Sequence, residues 1–108
     1  MPDPAADVVV RQMRDAIIDN DLRLLVAVNR RLELVARLRE YKESQGMEFV
    51  DHSREEWMRR YLQGANQGPL SAIGLDEIYR HLLELTKRET NGGAPADGAA
   101  AEPPPPSD

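Results

Sequence analysis

The chain has no cysteine, which excludes disulfides and thiolate metal sites. Its two histidines, His52 and His81, stand alone in their neighbourhoods. Zinc needs three or four convergent ligands, so no metal site is expected. Aromatics are scarce, with one Trp, one Phe and three Tyr in 108 residues. A chain this short buries a modest fraction of its surface, so a partner subunit would add much of the missing core. No apolar run reaches membrane-spanning length and no signal peptide is visible. A soluble cytoplasmic protein with no membrane partner is therefore expected. The net charge of −5 argues against a nucleic-acid partner.

Proline and glycine are unevenly spread. From Asn91 the chain reads NGGAPADGAAAEPPPPSD, with no apolar period and four consecutive prolines that deny it helix or ladder hydrogen bonds. Residues 91–108 are expected to be a disordered Pro/Ala/Gly-rich tail, inert rather than a ligand for a proline-recognising module. Residues 1–6 are read as an N-terminal tail and 7–90 as the one folded domain. Between Ala5 and Gln45 there is neither Gly nor Pro. Asp3-Pro4 or Asp7 can open a helix there and Gly46 can close it. About 38 residues of helix would span about 57 Å, too long to be covered by the short segments that remain. Such a helix should pack against another chain.

Steps of four and three trace a seam along this helix: Val10, Arg14, Ile17, Asp21, Leu24, Val28, Arg31, Val35, Leu38 and Lys42. Six of the ten are aliphatic, as a buried stripe requires. Ile18, Leu22, Leu25 and Leu32 form a second stripe beside it. Arg14 and Lys42, near the ends, can snorkel to water. Arg31, flanked by Val28 and Val35, must meet an anion, because a buried unpaired guanidinium is strongly unfavourable. Lys42 lies three turns on and rotated by about 20°, roughly 16 Å along the axis. The two side chains could converge on one anionic ligand. Arg14 is about 25 Å from Arg31, too far to share it within one chain. In an antiparallel pair of helices with a dyad near residues 22–23, Arg14 of one chain would lie beside Arg31 of the other. A symmetric dimer would then hold two identical cationic pockets.

Residues 51–57 read DHSREEW. Ser53 with Glu56 forms a Ser-x-x-Glu capping box for a second helix, leaving Asp51, Arg54 and Glu55 without a structural task. Trp57 is expected in the core. A third helix follows the loop QGANQGPLSAIG, over LDEIYRHLLELTKRET, with an apolar face at Ile78, Leu82 and Leu85.

The spacing Arg14…Arg31…Lys42…Asp51-x-x-Arg54-Glu55 resembles the all-helical (AroQ) class of chorismate mutases. The stretch MRDAIIDNDLRLLVAVNRRLELVARLREYK is similar to that family's first helix, including Asp21-x-x-Leu24-Leu25, and the resemblance runs from about residue 7 to 90. It implies an all-α fold, a three-helix chain with a long N-terminal helix, entwined as a homodimer with shared active sites. It also implies conversion of chorismate to prephenate, the committed step toward phenylalanine and tyrosine. That rearrangement is unimolecular and needs no nucleophile, metal or cofactor. The protein supplies conformational restraint and positive charge at the breaking ether oxygen.

By the same resemblance, the partner's Arg14 and this chain's Arg31 clamp the substrate carboxylates, and Lys42 reaches the ether oxygen. Glu55 accepts from the ring hydroxyl, helped by the Asp51 backbone, and Arg54 orients that corner, through the Asp51 side chain. Thr86 falls where the family often has a small hydroxyl residue. Thr90 falls where a longer Gln or Glu commonly faces the ether oxygen, and Glu89 is one position away. A threonine is short for that task. A low stand-alone rate is therefore expected, or activation by another protein, as some members are activated by the first enzyme of the shikimate pathway. Two other readings compete. One keeps the fold but acts as an isochorismate pyruvate-lyase or an aminodeoxychorismate mutase. The other is a non-catalytic helical dimerisation or regulatory module.

Overall fold

The computed structural model describes residues 4–90, so the expected tails lie largely outside the described residues. Three helices and no strand are present among them: α1 (Pro4–Ser44), α2 (His52–Ala65) and α3 (Ala72–Thr90). The all-α, three-helix expectation is met. The chain divides into two compact units. The first is α1 as far as Leu34, and the second runs from Val35 through the end of α1, α2 and α3.

The first unit is a single helix with an exposed apolar surface. Ile17, Ile18, Leu22, Leu24, Leu25 and Val26 are each more than half exposed, although both stripes read as buried faces in the sequence. In the second unit α1 stops at Gly46, whose φ of +68° suits glycine because a Cβ would be strained there. The amide of Met47 bonds the Lys42 carbonyl at 2.8 Å and that of Gly46 bonds the Glu43 carbonyl at 3.2 Å. These are the two crossed bonds of a Schellman cap.

α2 and α3 form the one helix–helix contact among the described residues. Its polar part is a cluster around Asp76. Gln63 donates to Asp76 Oδ1 at 2.9 Å and to the Ala72 carbonyl at 2.7 Å, while Arg59 pairs with Asp76 Oδ2 at 3.3 Å. The connecting loop is shorter than its sequence suggests. Ser71 Oγ accepts from the Gly74 amide at 3.0 Å, which starts α3 at Ala72 rather than at Leu75. The inner face of α3 also differs from the expected one. Tyr79 and Thr86 are buried, Leu82 and Leu85 half-buried, and Ile78 is exposed. Tyr79, Leu82 and Thr86 follow steps of three and four, so the stripe runs through a tyrosine and a threonine that a purely aliphatic reading passes over. Tyr79 is the only buried hydrophobic residue among those described.

Candidate active site

Asp51 opens α2. It is extended (φ −129°, ψ 98°) and its carboxylate accepts from the Arg54 amide, at 3.1 Å. The expected capping box is therefore displaced: Asp51, not Ser53, is the N-cap, and Ser53 lies inside the first turn. Glu56 instead bonds Arg59 at 2.8 Å. The Arg59 side chain, through its hydrogen bond and its charge, holds the Glu56 carboxyl below its ordinary range. Replacing an N-cap aspartate by alanine typically costs about 1 kcal/mol. In a domain this small Asp51→Ala should lower the melting temperature by roughly 4–8 °C. Ser53→Ala should stay within about 0.5 kcal/mol of wild type, and melts of the two variants side by side check which residue caps the helix.

The cap sets the neighbouring charges. Glu55 is fixed from two directions: His52 Nδ1 stands 3.3 Å from Oε1, and Lys87 Nζ, from α3, stands 3.5 Å from Oε2. The Arg54 guanidinium lies over the Trp57 ring at 4.5 Å, so Arg54 meets Asp51 only through its backbone amide. Trp57 stacks on Tyr61 with ring centroids 5.1 Å apart and is about half exposed in the single chain, not in a core.

Of the seam cations, Arg31 and Lys42 are half-buried and Arg14 is exposed. Lys42 Nζ donates to the Phe49 carbonyl at 3.3 Å. A carbonyl does not neutralise an ammonium, and two further N–H groups remain for an anion. Arg39 lies over the Phe49 ring at 4.6 Å. Together with Glu48, Val50 and Lys87 these two line a cleft of about 480 Å³. A larger cleft, about 760 Å³, lies along α2 and α3, but there Arg59 is already paired with both Glu56 and Asp76.

Residues 13–91 match the chorismate mutase type II family. The chain belongs to that family. Neither a curated protein nor a solved structure gives a match. All eight candidate residues, from Arg14 to Thr90, fall inside the segment that matches chorismate mutase type II.

Within that segment, Asp51, Arg54 and Glu55 are brought together at the start of α2, and Lys42 ends α1 in the same unit. The third helix is where the site reads least like a set of donors. Thr86 Oγ1 donates to the Leu82 carbonyl and Thr90 Oγ1 to the Thr86 carbonyl, both at 2.6 Å. Each hydroxyl has one proton, and here both protons are directed into the backbone of α3. Lys87 is the residue that sequence reasoning missed. A lysine in the last turn of a helix looks like ordinary solvation of the dipole's negative end, and only the fold puts it beside Glu55.

Proposed function

We propose that the chain is a chorismate mutase, rearranging chorismate to prephenate for phenylalanine and tyrosine biosynthesis, with a catalytic domain over 7–90. The observation that carries this reading is the match of residues 13–91 to the chorismate mutase type II family, in which the half-buried Lys42 keeps two N–H groups beyond its bond to the Phe49 carbonyl.

Arg31 grips one carboxylate through its guanidinium fork. Lys42 neutralises charge developing on the ether oxygen as the C–O bond breaks, and Glu55 accepts from the ring hydroxyl. Asp51 holds that corner by capping α2, and Arg54 frames it. The exposed apolar surface of the first unit supports an entwined homodimer. Leu22 and Leu25 flank the proposed dyad, and burying such side chains contributes about 1.5–3 kcal/mol each. In that dimer the partner chain's first helix supplies Arg14 to the site, completing the carboxylate clamp. The occupied hydroxyls of Thr86 and Thr90 favour a low stand-alone rate, raised by complex formation with a shikimate-pathway enzyme. Loss of one donor to a developing oxyanion typically removes about 10²–10³ in kcat.

The test is consumption of chorismate, isochorismate and aminodeoxychorismate in parallel, with and without candidate shikimate-pathway enzymes. Prephenate formed from chorismate, slowly for the isolated dimer, is the expected result. Pyruvate released from isochorismate, or turnover of aminodeoxychorismate alone, would move the assignment to a sister reaction.

A further inference from the structure

Glu55 holds an unusual position for a surface carboxylate. Its side chain is only 25% exposed, and each oxygen has a cation or a titratable nitrogen beside it, His52 within α2 and Lys87 from α3. Lys87 is 32 positions along the chain, so this ion pair joins two helices rather than two turns of one. It also lies next to Thr86, whose hydroxyl is turned into α3. The last turn of α3 therefore meets the start of α2 through a cation and not through a hydroxyl.

We propose that Lys87 is a positioning residue. It holds the Glu55 carboxylate in place from α3 as an acceptor for a ring hydroxyl, an assignment that rests on the chorismate mutase reading. The contact fixes Oε2 from a second helix and leaves other lone pairs of the carboxylate to accept. The other charges around Glu55 cannot substitute for Lys87. His52 stands beside the other oxygen, Oε1, from the same helix, so it cannot tie Glu55 to α3. In the cleft along α2 and α3, Arg59 is held by Glu56 and Asp76, and Arg80 shares the wall with Glu77.

The test compares full-length wild type with Lys87→Met, which keeps the apolar stem, and Lys87→Arg, which keeps the charge. A double-mutant cycle of Lys87→Met with Glu55→Gln, read by thermal melting, reports on the pair whether or not the protein turns over chorismate. The double variant should lose less stability than the two single variants summed. Lys87→Met should lower kcat/KM for chorismate several-fold, as suits a partly exposed pair, and Lys87→Arg should restore it. Were Lys87 only a cation at a helix end, the stability losses would add and kcat/KM would stay in place, which overturns the proposal. Coupling in a protein inert toward chorismate would keep the ion pair and overturn the catalytic assignment instead.

Discussion

Arg31→Ala is expected to lower kcat/KM for chorismate by about a thousandfold, the equivalent of roughly 4 kcal/mol of transition-state stabilisation. Arg31 is half-buried between Val28 and Val35 on α1. A carboxylate held there by two parallel N–H bonds loses both charge and orientation when the fork is removed. Arg31→Lys should recover only part of the loss, because an ammonium supplies the charge without the planar pair of donors. Steady-state kinetics should be read beside thermal melting of each variant. An alanine variant more stable than wild type, with neither protein consuming chorismate, would mark Arg31 as an interface charge in a helical pairing module.

Mixing two inactive proteins is expected to regenerate activity. Arg14→Ala and Lys42→Ala should each lose about two to three orders of magnitude in kcat/KM. If Arg14 serves the partner's site, a heterodimer of the two variants has one site missing both groups and one site intact. Random exchange makes half of the dimers mixed, so about a quarter of wild-type activity should return. Two sites each built from a single chain would give no recovery, and the proposed dyad near residues 22–23 would be wrong. Activity should be followed over time after mixing, since recovery requires subunits to separate and re-pair.

The long first helix was legible because its evidence is cumulative: some forty residues without Gly or Pro, then a glycine where the chain turns. Gly46 fulfils its expected part through a positive φ, which few residues other than glycine accept. The start of α2 was harder to place, because Asp51 and Ser53 are both good caps. The choice between them is made by where the backbone turns extended, and that occurs at Asp51. The register of Glu56 follows from that choice, and with it the exchange of a capping box for a pair with Arg59. Trp57 reads as a core residue in the sequence, but among the described residues the single chain offers almost no interior to receive it. Arg14, Arg31 and Lys42 could be singled out because charges interrupt an apolar period. Lys87 interrupts nothing, and its meaning depends on a contact between helices that no local pattern encodes.

The stack of Arg54, Trp57 and Tyr61 has a practical consequence. Trp57 is the chain's only tryptophan, so all indole emission originates from one spot on the second helix. A guanidinium lies over that ring, and the same arginine shares a turn with the carboxylate assigned to the ring hydroxyl. The protein thus carries an intrinsic optical probe beside its candidate site, with no label to introduce and no second indole to subtract.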